Sequence, residues 1–236
     1  MSKLIKSIIK YFLSKTSWRL KKIYKNKGYV HGKPNLDFVL SLYNSRGIIH
    51  MGAHRGGEAA IYDWLQKKTI WIEANPSIIK DLEDHIYQFP HQKVLHALLS
   101  DKDGEELDFK ISNNDSASSS IFNFGHESTK QNLKMISNLK LKSQTLDKIV
   151  ERELIKISEY DFWILDLQGA ELLTLQGAKK SLLNCKYILV EISKTDYYIN
   201  GASWKDLKDF LNSNNFFEKW EPKKNHTDVL FIKRTN

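Results

Sequence analysis

The chain predicts an α/β fold with a mostly parallel sheet and helices on both faces. Three observations carry that expectation. Short apolar runs alternate with helix-length amphipathic segments along most of the sequence. Three of those runs end in an acid, Glu73, Asp166 and Glu191. The run at Ile48-Ile49 passes through Gly52, Gly56 and Gly57 into a helix-forming stretch from Glu58 to Lys67. In such sheets ligands bind beyond the carboxyl ends of the strands, so acids there are candidates for a site.

The glycine turn between strand and helix lets backbone N–H groups approach a ligand closely. Ile70-Trp71-Ile72 is the next short strand, and Glu73 at its tip suits two ribose hydroxyls. A dinucleotide turn wants G-x-G-x-x-G, but here the middle position is His54. That leaves little room for a pyrophosphate and suits a nucleoside without phosphates, such as S-adenosylmethionine. Glycine turns and strand-end acids also occur in α/β domains that bind no such ligand.

From Pro76 a helix capped by Asn75 is expected to about Tyr87. Val94 to Leu98 reads as a third strand, with Leu99 and Ser100 at its tip where an adenine would lie. Asp103-Gly104 is a turn signal before a strand over 105–111. The polar segment SNNDSASSS (112–120) reads either as a disordered surface loop or as a lid beside the site. Residues 128–141 are ambiguous, and 142–150 form a short strand and a helical turn. Phe162 to Leu165 is a buried strand ending at Asp166, and Gln168 to Glu171 opens a helix to about Leu182. Tyr187 to Val190 is a strand ending at Glu191, and 203–212 is helical. Residues 216–220 and 228–232 form a closing antiparallel pair.

At 236 residues the chain forms one domain, here assigned to 35–236, with an appendage over 1–34. The single cysteine, Cys185, excludes an internal disulfide framework and suits a reducing compartment, so a cytoplasmic location is expected. No apolar run approaches the ~18 residues of a membrane span. The net charge of +8 is concentrated at one end: ten Lys and Arg precede Asp37 without one acid, leaving 26 basic against 28 acidic residues. A nearly neutral body argues against nucleic acid as a partner. Residues 3–25 set Ile5, Ile8, Ile9, Phe12, Leu20 and Ile23 on one helical face among lysines. Such a helix either lies peripherally on an anionic membrane, through residues 1–25, or packs on the body.

Several stretches together resemble the FkbM family of S-adenosylmethionine-dependent methyltransferases: IIHMGAHRGGE (48–58), WIEANP (71–76), ALLSDKDG (97–104), SSSIF (118–122), TLD (145–147), DFWILDLQGAELLTLQGA (161–178), LVEIS (189–193) and TDVLFIK (227–233). DLQGAELLTLQGA with TLD upstream is the most distinctive. The resemblance implies a Rossmann-like class I methyltransferase fold, a mostly parallel seven-stranded sheet whose last strand is antiparallel. It implies S-adenosyl-L-methionine as cofactor and O-methylation of a small-molecule or carbohydrate acceptor, often in polysaccharide or natural-product pathways. Carried over by residue, it sets His50, Gly52, Ala53, His54, Gly56 and Glu58 around the turn by the methionine portion. Glu73 and Ala74 fall by the ribose, Leu99 and Ser100 by the adenine, and Asp166 and Gln168 by the methyl donor. His50 is a departure, since many members carry Asp there. Asp166, Glu191, His226 and Asp228 are the candidates for proton handling during transfer, because a sugar hydroxyl is a poor nucleophile. No metal is expected: His50 and His54 are four apart, with no Cys or Glu to complete a zinc set. A methyltransferase on another acceptor (protein, lipid or secondary metabolite), a nucleotide-using oxidoreductase and a non-catalytic nucleoside-binding module are the alternatives.

Overall fold

The computed structural model describes Leu36 to Arg234. The basic helix and linker expected before residue 35 lie outside the described residues.

A helix α1 (Leu36–Asn44) precedes strand β1 (Gly47–Met51), helix α2 (Ala59–Trp64), strand β2 (Lys68–Glu73), helix α3 (Pro76–Ile86) and strand β3 (Gln92–His96). Strands β4 (Leu98–Leu99) and β5 (Glu106–Ser112), helix α4 (His126–Lys130), strand β6 (Met135–Gln144) and helix α5 (Leu146–Arg152) follow. Strand β7 (Phe162–Leu165), helix α6 (Glu171–Gln176), strand β8 (Tyr187–Ser193), helix α7 (Trp204–Ser213) and strands β9 (Phe216–Glu218) and β10 (His226–Lys233) complete the order.

Seven strands form one sheet in the order β3-β2-β1-β7-β8-β10-β9. The first five in that order run parallel, and β10 is antiparallel to both β8 and β9. The chain steps outward from β1 to β3, then returns to the other side of β1 as β7. That reversal opens a crevice between the carboxyl ends of β1 and β7, the usual ligand position in such sheets. Alternate residues of the central strands feed two layers. Ile49, Met51, Ile70, Ile72, Trp163 and Leu165 pack on one face, and Ile48, Trp71, Phe162, Ile164 and Leu230 on the other. Buried on both sides, β1 and β7 are apolar throughout apart from His50, as parallel central strands must be.

Local chemistry starts the helices. Asn75 accepts from Ser77 N–H with Pro76 in the first turn, Thr145 accepts from Lys148 N–H, and Ser203 accepts from Asp206 N–H. Each satisfies a backbone donor that the first turn leaves unpaired.

Four expectations are corrected. The strand expected over 94–98 is divided: β3 ends at His96, and Leu98-Leu99 joins a separate three-stranded sheet, β4-β6-β5, that also takes β5. The helix expected to Leu182 ends at Gln176, where Gly177 lies so close to the Ser100 carbonyl that a Cβ would stand 2.2 Å from it. Helix α2 ends at Trp64 rather than Lys67, with Gln66 at φ 57 turning the chain into β2. Glu191 lies inside β8, directly across from Asp228 of β10.

Candidate active site

The turn after β1 is shaped by contact with β7. Gly52 has φ +85, and a Cβ there would stand 1.8 Å from the Asp166 carbonyl oxygen. Only glycine meets both conditions. Asp166 N–H in turn donates to Met51 O at 3.0 Å, so the tips of β1 and β7 are held together. Gly52 and Ala53 N–H both donate to Ile72 O, at 3.0 and 3.1 Å. Gly56 (φ +66) presses the turn onto Leu82 and Ile86 of α3, and Glu58 immediately precedes α2.

His54 takes φ 47, and its N–H donates to Glu73 Oε2 at 2.7 Å. Asn75 N–H donates to Oε1 at 2.8 Å. The Glu73 side chain is buried, and burial pushes its pKa up, a trend added to by the Asp166 charge and opposed by the N–H groups of Asn75, His54 and Ala74. A carboxylate has about four acceptor positions, so capacity remains beyond these N–H groups. Ala74 O accepts from His96 Nε2 at 3.0 Å. Leu99 and Ser100 are buried on the far side, and Ser100 Oγ donates to Asp101 Oδ1 at 3.1 Å. His50 is 1 % exposed. Its ring stacks on Trp71 with centroids 4.8 Å apart, its Nδ1 lies 3.3 Å from Tyr62 Oη, and burial lowers its pKa to about 3. Burial thus favours the neutral form of His50 within the core.

Beyond the ends of β7 and β8 the remaining candidates converge. Gln168, at φ 55, donates its amide to the Asp166 carboxylate and to Glu191 Oε2, the latter at 2.9 Å. Glu191 Oε1 lies 3.0 Å from His226 Nε2, whose Nδ1 lies 3.0 Å from Ser193 Oγ. The His226 ring stacks on Tyr197 at 4.4 Å between centroids. Burial first, then the charges of Asp166 and Asp228, push the Glu191 carboxyl well up, while burial pulls His226 down. Both directions favour the uncharged form of each partner. Burial also raises Asp228 to about 7 and Glu171 to about 7, with Asp166 a contributor to each. Glu171 Oε1 accepts from Leu167 and Gly169 N–H at 2.9 and 3.1 Å and so shapes the turn after β7.

Two loops cover this cluster. Residues 113–125 reach from the turn after β1, where Arg55 grips Asp115 at 2.6 and 3.2 Å and His54 Nε2 meets Asp115 O at 2.9 Å, to Gln168, whose carbonyl accepts from Ser120 Oγ at 2.7 Å. Residues 194–203 pack on them through Gly125 N–H to Tyr197 O (2.8 Å) and Ile199 N–H to Asn123 O (2.9 Å). Between the second loop, the end of β8 and the start of α7 lies a cavity of about 600 Å³, lined among others by Glu191, His226, Tyr198, Asn200, Ser203 and Trp204. The serine-rich segment is thus an ordered cover, its Ser112, Ser118, Ser119 and Ser120 buried and hydrogen-bonded, and the disordered-loop reading is set aside.

Against known families, residues 50–218 match the methyltransferase FkbM domain. The chain belongs to this family. The FkbM protein is accordingly an S-adenosylmethionine-dependent methyltransferase. No curated sequence matches it. Solved structures similar to the FkbM chain include magnesium protoporphyrin IX methyltransferase from Synechocystis PCC 6803 with bound SAH (8 % identity, 97 % of this chain and 99 % of that one, TM-score 0.45). Others are a TehB-like SAM-dependent methyltransferase from Corynebacterium glutamicum ATCC 13032 Kitasato (9 %, 95 % and 99 %, 0.43) and Aeropyrum pernix fibrillarin with bound S-adenosyl-L-methionine (12 %, 79 % and 66 %, 0.43). The assignment rests on the family match.

The cofactor fits the residues of the crevice. A buried carboxylate with acceptor capacity to spare stands at the tip of β2, and the neighbouring turn admits no side chain at Gly52. Sequence reasoning did not single out Glu171, Ser193, Tyr197 or Tyr198, which complete the cluster. Tyr197 and Tyr198 sit in a loop without a motif, and only their aromatic character in an otherwise polar stretch marks them.

Proposed function

We propose that this FkbM methyltransferase O-methylates a hydroxyl of a carbohydrate-type acceptor held in the cavity beside Glu191 and His226. Glu73 takes the ribose hydroxyls of the cofactor, the Gly52–Gly56 turn runs along its methionine portion, and Leu99 and Ser100 border its adenine. The observation that carries the reading is the joined polar cluster Asp166–Gln168–Glu191–His226, of which Glu191 and His226 line the cavity. Aromatic residues Tyr198 and Trp204 beside Asn200 and Ser203 suit a ring with an apolar face and many hydroxyls.

S-adenosylmethionine, when bound, supplies a methyl group on a sulfonium centre that departs with its bonding pair. The chain's own work is on the acceptor: aligning its oxygen and removing its proton. Asp166 accepts the hydroxyl proton as the new O–C bond forms. Gln168 holds that carboxylate through its amide. Glu191, whose burial favours its protonated form, bonds His226 beside it.

The test is mass spectrometry of candidate glycans and nucleotide-sugars incubated with methyl-labelled cofactor. Label on a sugar oxygen is the expected result; label only on protein, lipid or secondary metabolites would transfer the reading to that acceptor. The ten basic residues before Asp37 and the apolar Ile5, Ile8, Ile9 and Phe12 support a peripheral membrane role for residues 1–25 of a cytoplasmic enzyme whose methyltransferase domain is 35–236. Flotation of the full chain with anionic vesicles, reversed by salt, is the check.

A further inference from the structure

The loop tyrosine Tyr198 has a role that the transfer chemistry above leaves unassigned. It is buried, its ring packs 5.5 Å from that of Phe124, and it is seated over two glycines. A Cβ at Gly169 or Gly201 would stand 3.2 or 2.9 Å from Tyr198 Cβ. The backbone is cut back on both sides to admit this residue. Its hydroxyl donates to Gln168 Oε1 and lies 3.4 Å from Ser118 O. An amide has one acceptor end and one donor end. With the acceptor end taken by a hydroxyl, the donor end of Gln168 must face Asp166 and Glu191.

The geometry points to Tyr198 as a positioning residue: by fixing the orientation of the Gln168 amide, it keeps one N–H donor on each of the two site carboxyls. Burial pushes the Tyr198 hydroxyl pKa up, so it stays a donor across the working pH range. The packed ring holds this hydroxyl in place beside the amide oxygen, whereas a water there would turn freely between donor and acceptor roles and leave the amide free to turn. Once turned, the amide would present its oxygen to two carboxyls, removing a donor and adding a negative dipole.

The consequence is read on Glu191. The groups facing it are Asp166 from the end of β7, Glu171 from α6, Asp228 and His226 from β10, and Tyr197 and Tyr198 from the covering loop. A donor to a carboxylate favours its charged form, so losing that donor raises the pKa. In full-length protein labelled with carboxyl-¹³C glutamate, and assigned with Glu191→Gln, Tyr198→Phe should move the Glu191 midpoint upward by at least about half a pH unit. The phenylalanine retains the ring that packs on Phe124. Gln168→Leu should move the midpoint the same way, and adding Tyr198→Phe to it should cause no further shift.

An unchanged midpoint in folded Tyr198→Phe overturns the proposal, as does a full second shift in the double variant. If Tyr198→Phe does not fold, Gln168→Leu alone decides: an unmoved midpoint there is equally fatal. A cooperative melting transition and a circular dichroism spectrum like the parent's confirm that each variant is folded. The proposal rests on the reading of Asp166 as the proton acceptor, with Gln168 joining it to Glu191. The titration needs no acceptor, however, so failure to methylate any glycan would sink the acceptor reading and leave this one standing.

Discussion

At the scale of single residues the site depends on two carboxylates with different surroundings. Glu73 is buried, with one backbone N–H on each oxygen. Two further hydrogen bonds from ribose hydroxyls to a charged acceptor are worth roughly 1.5–3 kcal/mol each. Glu73→Ala is therefore expected to weaken S-adenosylmethionine binding at least ~10-fold by calorimetry, and Glu73→Gln, which preserves shape, should lose a smaller part. Equal affinity in a folded Glu73→Ala protein would remove Glu73 from the cofactor site. Asp166→Asn should leave that affinity within about threefold and lower turnover on the true acceptor at least ~100-fold, the scale of acid–base positioning. Turnover that barely changes would reduce Asp166 to packing the Gly52 turn. Both acids were legible in the sequence because each ends a hydrophobic strand. Tyr198 was not, because its partners Gln168 and Ser118 lie 30 and 80 positions away and no local pattern encodes that meeting. The ring of His50 stacks on Trp71, which in turn stacks on Tyr62, and no local pattern announces that stack.

At the scale of elements, the strands of the main sheet were readable and the cover over the site was not. Continuous apolar runs mark β1, β2, β7 and β8 because a parallel strand is buried on both faces. Of the side sheet, β5 was readable, but most of β6 was not, because it is half-exposed and reads MISNLKLKSQ. The serine-rich segment suggested a loop on composition alone; its order comes from side-chain hydroxyls bonding one another and the backbone, such as Ser118 N–H to Ser112 Oγ at 3.0 Å. Its outer anchor is exposed, since Asp115 is 73 % exposed where it meets Arg55, and such pairs contribute only about 0–1 kcal/mol. Arg55→Ala is therefore expected to leave the melting temperature almost unchanged while speeding amide hydrogen exchange over 112–120. Unaltered exchange there would mean that the hydroxyl network alone holds the segment.

For the whole molecule, the buried acids set the pH dependence of stability. Asp228 and Glu171 titrate near 7 when folded, against ordinary values of 3.8 and 4.5. The folded form thus holds these protons more tightly than the unfolded chain. Their contribution is full below about pH 4 and is lost as pH rises through 7. His50 acts in the opposite sense: its folded pKa of about 3 lies below 6.5, so its contribution is present above 6.5 and lost as pH falls toward 3. A difference measurement isolates one group. The melting temperature of Asp228→Asn minus that of the parent should be near zero at pH 4 and rise to a plateau above about pH 7. A flat difference across that range would show that Asp228 titrates normally.

The two covering loops are bound directly to each other. Phe124 pairs with Tyr198, and Gly125, Glu127 and Ile199 donate across the gap. On the proposed acceptor reading they act as one unit divided between distant parts of the chain. A chimera that imports residues 194–203 from a relative with a different acceptor, but keeps its own 113–125, joins mismatched halves of a wall. Exchanging both together is the recombination that should transfer specificity, and breeding new acceptors into this enzyme calls for mutating the two segments as a pair.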